Sequence, residues 1–415
     1  MKTKILPYKT YLKETVLLSL VGVVIGIVTG IVDTIFGRTL LLFAQINRDF
    51  YSFLIPFLAL AGLLIIAAYQ TWGQTAQKGM KLVFEAAQGK REHIPLILIP
   101  LLIGSTWLTH LFGGSAGREG VAVQLGAAIA NGTERFFSIK QHKRVLLIVG
   151  MAAGFSGLFQ IPLAATFFAL EVLIVGRLPL RALFPALTAA FTADYTSHWL
   201  GLEKFTHIIH QAFPISIDHM IRLGLLAIGL GLVGKLFAWG LRQGKPFFKG
   251  LLPNPYIRVA IVSIVLSFAF FCLDQGRYSG LGTNLIEAAF SGHGIYAWDW
   301  FLKLTLTIIT LSIGFQGGEV TPIFTIGACL GFVLAPILGL PLELGVALGY
   351  IGVFASATST LIAPIFIGGE LFGFNNVAAY TIIAIIAFLL QPYYSIYSLQ
   401  EVHLNRLEHE NEPRS

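Results

Sequence analysis

Long apolar segments recur along the chain and restrict it to folds that a lipid bilayer can hold. A membrane-spanning helix needs about 20 apolar residues. Runs close to that length lie at 15–36, 52–69, 94–109, 145–159, 222–241, 258–273, 301–314 and 376–390. Charged residues make up only 12% of the sequence, against about 25% in a soluble domain. The sequence therefore predicts an all-α, multi-pass membrane protein.

Shorter apolar stretches, broken by glycine, proline or a charge, separate the long ones. They lie at 118–130, 161–175, 319–334 and 361–373. Helices that end inside a bilayer are stable only where surrounding protein or a cavity satisfies their backbone. We expect discontinuous or re-entrant helices at these positions. The alternative is a bundle of tilted full spans in which the glycines serve only helix packing.

Three pairs of motifs repeat at a nearly constant offset. The pairs are 79–87 with 282–289, 117–127 with 318–328, and Pro162 with Pro364, at offsets of 201 to 203 residues. Repeats of this size are typical of secondary transporters, which bind substrate between the two halves. We predict one transmembrane transport domain, 1–405, built from repeats of about 11–205 and 215–403, with a short polar tail at 406–415. The residues alone leave open whether the repeats are parallel or inverted.

An acidic residue, Glu119, lies within the glycine-rich sequence GGSAGREGV at 113–121. An ionisable side chain inside a membrane segment is a functional candidate by default. Glu119 stands where a helix is predicted to start, and helix starts attract anions. A carboxylate there can occupy an anion site and leave it on protonation, which would couple protons to anions. The repeat brings 317–322 (GGEVTP) to the same site; the alternative is a structural acid paired with Arg118 or Lys78.

The charge distribution orients the chain and excludes some partners. The net charge is +7, and the basic residues before the first and fourth long spans favour a cytoplasmic location under the positive-inside rule. These residues are Lys2, Lys4, Lys9, Lys13, Lys140, His142, Lys143 and Arg144. No basic soluble face suited to nucleic acid is visible. Cys272 and Cys329 are isolated, which predicts buried core residues without a disulfide, a metal or another cofactor.

Three motifs together resemble the CLC family of chloride channels and anion/proton antiporters. They are Gly-Arg-Glu-Gly at 117–120, Gly-Gly-x-x-x-Pro at 317–322, and Pro-Tyr-Tyr-Ser at 392–395. The likeness covers nearly the whole chain. It implies an inverted-repeat fold with full and discontinuous transmembrane helices, and a homodimer with one pore per subunit. It also implies a gating role for Glu119 and a pore-facing hydroxyl on Tyr394.

Four departures from the usual family pattern resemble its fluoride/proton antiporter branch. Met80 stands where the family's first motif normally supplies a serine, and Val121 replaces the proline after the gating motif. Val320 replaces a phenylalanine in Glu-Val-Thr-Pro, and Val172 stands where an internal proton-relay glutamate often lies. The implied function is export of fluoride in exchange for protons, with fluoride resistance as the result. The implied setting is a bacterial plasma membrane, with both termini cytoplasmic.

The resemblance implies a set of site residues around the proton-transferring Glu119. The anion-binding positions are Met80, Gly117, Arg118, Gly120, Val320, Thr321 and Tyr394. Compact donors such as hydroxyls and backbone N–H groups suit a small, strongly hydrated anion. Because a thioether is a poor anion ligand, we expect Met80 to shape the site. We expect the Arg118 side chain to face away from the pore.

Structural alternatives remain for several of these residues. Thr321 could bond back to its own helix, and Tyr394 could belong to an interfacial aromatic belt. Glu171 and Glu370 could assist proton transfer or, as the stronger expectation, cap helices. Glu319 could cap the helix that starts beside it.

Other functions remain as alternatives to fluoride export. Within the same family they are a chloride/proton antiporter and a passive anion channel. An enzyme is not expected, although Gly154–Gly157 (GFSG) is similar to the nucleophile motif of intramembrane serine proteases. Such a protease needs a histidine within reach of Ser156, and the nearest mid-span candidate is His110.

Overall fold

The computed structural model describes residues 8–137, 142–390 and 393–403. The predicted tail at 406–415, the basic residues Lys2, Lys4 and Lys140, and Pro392 of the third motif lie outside these ranges. Within the described ranges the chain forms seventeen α-helices and one pair of two-residue strands, so the prediction of an all-α membrane protein is confirmed.

The helices follow one another with short connections. They are α1 (Tyr8–Asp49), α2 (Tyr51–Leu54), α3 (Leu58–Thr71), α4 (Met80–Ala87), α5 (Leu98–Leu111), α6 (Glu119–Phe137), α7 (Lys143–Phe159), α8 (Pro162–Glu171), α9 (Leu183–Trp199), α10 (Ile217–Leu251), α11 (Pro255–Cys272), α12 (Thr283–Phe290), α13 (Asp299–Ile313), α14 (Val320–Ile337), α15 (Leu342–Thr358), α16 (Ile362–Phe372) and α17 (Val377–Leu389). Short 3₁₀ turns lie at Ile55–Phe57, Leu180–Ala182 and Phe374–Asn376.

Helices long enough to span a bilayer and shorter helices both occur, as predicted. Among the described residues, five helical segments are long and apolar enough to cross a bilayer: Lys9–Asp49, Tyr51–Thr71, Ile217–Leu251, Pro255–Cys272 and Val320–Ile337. Four runs predicted as full spans instead form helices of 13 to 17 residues, α5, α7, α13 and α17. Conversely, α14 reaches 18 residues although its apolar run was predicted to be discontinuous. Apolar length alone does not separate a spanning helix from one enclosed by others.

The helices from α4 to α8 recur as α12 to α16. Corresponding helices begin 203, 201, 201, 199 and 200 residues apart. Helices α8 and α16 pack antiparallel, and a carboxylate near the C-terminal end of each accepts from free N–H groups at the start of the other. Glu171 accepts from the N–H groups of residues 361–363 at 2.7–3.2 Å, and Glu370 from those of residues 163 and 164 at 3.1 and 2.8 Å.

This reciprocal contact shows how the repeats are related. Glu171 and Glu370 lie near the C-terminal ends of corresponding helices, and each caps the helix that carries the other. Corresponding helices that run in opposite directions are related by a rotation about an axis perpendicular to them, which makes the repeats inverted. The capping alternative for these two glutamates is therefore confirmed.

Glycines allow the two central helix pairs to pack backbone to backbone. A Cβ at Gly349 in α15 would lie 2.0 Å from the carbonyl oxygen of Gly327 in α14, and a Cβ at Gly154 in α7 would lie 2.0 Å from that of Ala122 in α6. Small residues drive helix association in membranes because they permit this approach. The result is a rigid core of α6, α7, α14 and α15 around which the site is built.

The two cysteines have different surroundings. Cys329 is buried in α14, as predicted, whereas Cys272 is exposed at the end of α11, and both are free. The prediction that Cys272 is buried is wrong because an apolar sequence context in a membrane helix includes its outward-facing surface.

Candidate functional site

Two cavities approach the middle of the molecule from opposite ends of α11. The larger, about 960 Å³, is lined by Glu119, Arg118 and Thr321, and we refer to it as the Glu119 cavity. The smaller, about 410 Å³, is lined by Met80 and Glu319, and we refer to it as the Met80 cavity. Residues 255 and 258 at the start of α11 line the Met80 cavity, whereas residues 274–277 beyond its end line the Glu119 cavity. Eighteen helical residues span about 27 Å, so the cavities open on opposite faces.

A glycine pair joins the two halves between these cavities. The N–H of Gly117 donates to the carbonyl oxygen of Gly318 at 2.6 Å, and the N–H of Gly318 donates to that of Gly117 at 2.7 Å. A Cβ at Gly117 would lie 2.7 Å from Pro322 and 2.8 Å from the Thr321 hydroxyl, so no larger residue fits. Gly117 lies two residues before α6, and Gly318 lies two residues before α14. Two positive helix ends therefore converge, as the repeat predicted.

Glu119 occupies the point where the helix ends converge. It is fully buried, and its carboxylate accepts a hydrogen bond from the Thr321 hydroxyl. The backbone N–H of Arg118 and the Nε of Arg118 each lie 3.4 Å from a Glu119 carboxylate oxygen. The carboxylate thus takes the position that an anion would take at the start of α14. This matches the arrangement expected of a side chain that competes with an anion.

Thr321 faces the site rather than its own helix, whereas the expectation for Arg118 is wrong. The Thr321 hydroxyl bonds to Glu119 across the repeats, whereas the back-bond to the helix is made by Thr325, whose hydroxyl donates to the Thr321 carbonyl at 3.1 Å. Arg118 does not face away: it lines the Glu119 cavity and is only 8% exposed. Its Nη1 has no partner among the described residues. Neighbouring side chains along a helix point in different directions. Arg118 lies before the first residue of α6, so this rule does not apply to it, and its side chain lines the same cavity as Glu119.

The remaining glycine and valine positions shape the site without lining a cavity. Gly117, Gly120 and Val320 are buried, and a Cβ at Gly120 would lie 3.0 Å from the Glu319 carboxylate. These residues therefore allow the two helix starts to approach each other. The Glu119 cavity is lined instead by the side chains of neighbouring residues, Arg118 and Thr321. The assignment of the glycines and the valine as anion-binding positions remains a prediction.

The Met80 cavity is rich in positive charge. Met80 begins α4, and Gly79 before it has a φ of +54°, which favours glycine. Five basic residues line the cavity against a single acidic one, Glu319. The basic residues are Lys78, Lys81, Lys245, Lys249 and Arg258. The electrostatic potential in this cavity therefore favours an anion, and the single carboxylate lies at the inner end of the cavity.

Tyr397 lines the Met80 cavity, together with Tyr69 from α3, and this corrects the prediction for Tyr394. Tyr394 lines neither cavity; it is 47% exposed, and its ring lies 4.9 Å from the Arg242 guanidinium. Tyr397 is 6% exposed, lines the Met80 cavity and packs against the Phe84 ring at 5.6 Å. A sequence signal existed, because the dipeptide Tyr-Ser at 394–395 recurs at 397–398.

The segment that carries Tyr397 is anchored by backbone hydrogen bonds. The N–H of Ile396 donates to the carbonyl of Ala357 at 2.9 Å. Just beyond, strand β2 (Glu401–Val402) pairs in parallel with β1 (Ile174–Val175). These contacts hold the segment against the ends of α15 and α8, and this path decides which tyrosine points inward.

Further residues around the site had no sequence signal. Tyr350 lines the Glu119 cavity and stacks on Phe324 at 4.0 Å between ring centroids. Phe324 stacks in turn on Phe159, which also lines this cavity. These rings form one wall beside Glu119. They come from helices α7, α14 and α15, which only the tertiary fold brings together.

The protease alternative requires a histidine at Ser156, and this pair is not formed. The Ser156 hydroxyl donates to the carbonyl of Ala190 at 2.8 Å. Both ring nitrogens of His110 lie at backbone carbonyls, 2.8 Å from that of Thr106 and 3.0 Å from that of Ala116. Nor do the described ranges contain three His, Cys, Asp or Glu side chains grouped to hold a metal ion.

Comparison with known proteins connects this geometry to a family. A family model described as voltage gated chloride channel matches residues 61–391. The chloride/fluoride channel protein of Pseudomonas syringae pv. tomato is 34% identical over 86% of this chain and 80% of its own length.

Two solved structures share the fold. The crystal structure of a CLC-type fluoride/proton antiporter is 50% identical, has a TM-score of 0.92, and is matched over 94% of this chain and 98% of its own. The structure of a slow cyanobacterial Cl⁻/H⁺ antiporter is 18% identical, has a TM-score of 0.76, and is matched over 90% and 94% of the two chains. At that identity the second likeness bears on the fold alone.

Proposed function

The chain belongs to the voltage-gated chloride channel family, and we propose that it is a membrane antiporter that exports fluoride in exchange for protons. One observation carries the proposal: the buried Glu119 carboxylate lies at the start of α14, on the Thr321 hydroxyl, between cavities that open on opposite faces. The high identity to a fluoride/proton antiporter and to a chloride/fluoride channel supports fluoride as the anion. A chloride/proton antiporter and a passive anion channel are the competing outcomes.

In the proposed cycle, Glu119 and fluoride compete for the same helix end. The ionised carboxylate fills the position while no anion is present. Fluoride arriving from the Met80 cavity displaces it, taking the Thr321 hydroxyl and nearby N–H groups as donors in exchange for water. The freed carboxylate collects a proton in the Glu119 cavity, and fluoride leaves into that cavity. The neutral side chain then releases the proton into the Met80 cavity and returns to its ionised state. One buried group thus alternates between acting as an anion and acting as a proton carrier.

Selectivity for fluoride is proposed to come from compact donors. The Thr321 hydroxyl and the Arg118 guanidinium lie at Glu119, and Tyr397 lies in the Met80 cavity. A small anion needs short hydrogen bonds to offset the loss of its hydration shell. Met80 shapes the cavity at the start of α4 and offers no donor.

We propose that the Met80 cavity faces the cytoplasm of a bacterial cell. The positive-inside rule favours that side for its five basic residues. Both ends of the described chain are proposed to lie on that side too, because Leu399 lines the Met80 cavity and accepts from the Gln88 amide at 2.7 Å, and Glu14 near the N-terminus lies 4.0 Å from His142. The proposed setting is the plasma membrane, with cytoplasmic termini and a homodimer of transport domains. Each domain is proposed to span 1–405, with repeats of about 11–205 and 215–403.

The test is simultaneous measurement of anion and proton flux in proteoliposomes loaded with fluoride or chloride. We expect fluoride efflux accompanied by proton uptake, with little chloride flux, and loss of proton uptake in Glu119→Gln. Glu287→Gln is the matched control, because this exposed carboxylate lines the same cavity without contacting Thr321. Equal chloride and fluoride flux contradicts the selectivity, and persistent proton uptake in Glu119→Gln contradicts the mechanism.

A further inference from the structure

Lys303 is a fully buried cation in α13 that lies behind the loop leading into Glu119. Its Nζ donates to the Ser115 hydroxyl at 3.0 Å, to the Tyr278 carbonyl at 3.1 Å and to the Gly280 carbonyl at 2.8 Å. An ammonium group has three protons, so every donor is used. The side chain is therefore held in one position.

The acceptors of Lys303 belong to one loop from each repeat. The N–H of Ala116 donates to the Gly280 carbonyl at 3.3 Å, and the N–H of Gly280 donates to the Gly114 carbonyl at 3.1 Å. These backbone hydrogen bonds join the two loops at a junction, and the ammonium group adds hydrogen bonds to Ser115 in one loop and Gly280 in the other. Ser115 lies four residues before Glu119, so Lys303 anchors the backbone from which the gate projects.

The charge of Lys303 is not neutralised by a carboxylate. Asp299, one helical turn earlier, accepts from Arg277 Nε at 3.1 Å and from the Tyr278 hydroxyl at 2.6 Å. Among the described residues, no carboxylate lies within 4.0 Å of Lys303. Burying an unpaired charge is costly even when it is hydrogen-bonded. The three acceptors around Nζ require all three protons of the ammonium form, so these hydrogen bonds favour the charge that burial opposes.

Lys303 also packs toward the helix that carries Thr321. A Cβ at Gly282, a residue that lines the Glu119 cavity, would lie 2.9 Å from Lys303 Cε and 2.7 Å from the Thr325 hydroxyl. Thr325 donates to the Thr321 carbonyl at 3.1 Å. The lysine thus borders the loop before α6 and the second turn of α14.

We propose that Lys303 is a positioning residue for Glu119 and supplies a fixed positive charge. This charge stabilises an anion between α6 and α14, whether that anion is fluoride or the ionised Glu119 carboxylate. This inference rests on the proposed function. Arg118, His110, Tyr350 and Glu319 are charged or titratable groups close to Glu119. The same cavity is also lined by Arg38, Arg48, Glu203, Lys204, Asp274, Arg277 and Glu287. Lys303 differs from the other cations because it is fully buried and because three acceptors hold its ammonium group, one of them in the loop that leads into Glu119.

The test compares Lys303→Met and Lys303→Gln with wild type in the fluoride and proton flux assay. Removing a nearby positive charge makes Glu119 easier to protonate, so the pH of half-maximal proton-coupled flux should rise by on the order of one unit. The fluoride concentration for half-maximal flux should rise as well. Lys303→Arg, which keeps the charge, should restore the wild-type pH midpoint.

Ser115→Ala separates the charge from the hydrogen bonds. It removes one acceptor and leaves the ammonium group in place, so thermal stability should fall while the pH midpoint stays at the wild-type value. If Lys303→Met does not fold, Lys303→Gln decides, because glutamine can still donate to the loops. A folded neutral variant with an unchanged pH midpoint overturns the role of Lys303. Absence of coupled flux in wild type overturns the proposed function instead.

Discussion

The hydrogen bond between Thr321 and Glu119 is the contact on which the proposed gate depends most directly. Thr321→Val keeps the shape of the side chain and removes the hydroxyl that donates to the buried carboxylate. Thr321 is 3% exposed, so water cannot readily replace the lost donor. The ionised carboxylate should therefore lose stability at this position relative to the protonated one.

The size of the effect follows from the type of hydrogen bond. A hydrogen bond to a charged group contributes about 1.5–3 kcal/mol, and one pH unit corresponds to about 1.4 kcal/mol. Because the lost interaction favours the ionised form, its removal eases protonation. The pH of half-maximal proton-coupled fluoride flux should rise by about one to two units.

The assay is fluoride efflux with simultaneous proton recording across a series of pH values in proteoliposomes. Thr321→Ser retains a hydroxyl and should keep the wild-type midpoint. Thr325→Val is the matched control one turn further along α14, since its hydroxyl donates only to backbone carbonyls. A well-folded Thr321→Val protein with the wild-type midpoint would refute the reasoning, because Glu119 would then not depend on this donor.

Two further predictions concern packing and the second cavity. Gly349→Ala should lower the thermal unfolding temperature in detergent, because the new Cβ would lie 2.0 Å from the Gly327 carbonyl oxygen and overpacking costs about 1–3 kcal/mol. Gly104→Ala, where no atom lies within 4 Å of the new Cβ, should leave that temperature unchanged or higher. Tyr397→Phe should reduce fluoride flux several-fold without loss of stability, because the ring still packs while the hydroxyl is lost. Tyr394→Phe should have no effect on flux, and the reverse pattern would return the pore role to Tyr394.

Local patterns in the sequence were enough to predict the repeat and the position of Glu119 at a helix start. Glu119 stands at a helix start flanked by glycines, and the structure places it there because helix ends are determined by nearby residues. The near-constant offset of the motifs likewise predicted corresponding helices, which begin 199 to 203 residues apart. The apolar runs predicted helices throughout, because a bilayer requires the backbone to bond within itself.

What the sequence determined by itself is therefore local: an α-helical membrane chain, two repeats, and an acidic residue at a glycine-rich helix start. The repeat predicted that 317–322 meets Glu119, and the tertiary structure decided the individual contacts. It placed the Thr321 hydroxyl on a carboxylate 202 residues away, turned Tyr397 inward and Tyr394 outward, and set Lys303 behind the loop that leads into Glu119. These choices depend on how helices pack and on where a loop runs after its last helix, and such long-range contacts have no signature in neighbouring residues.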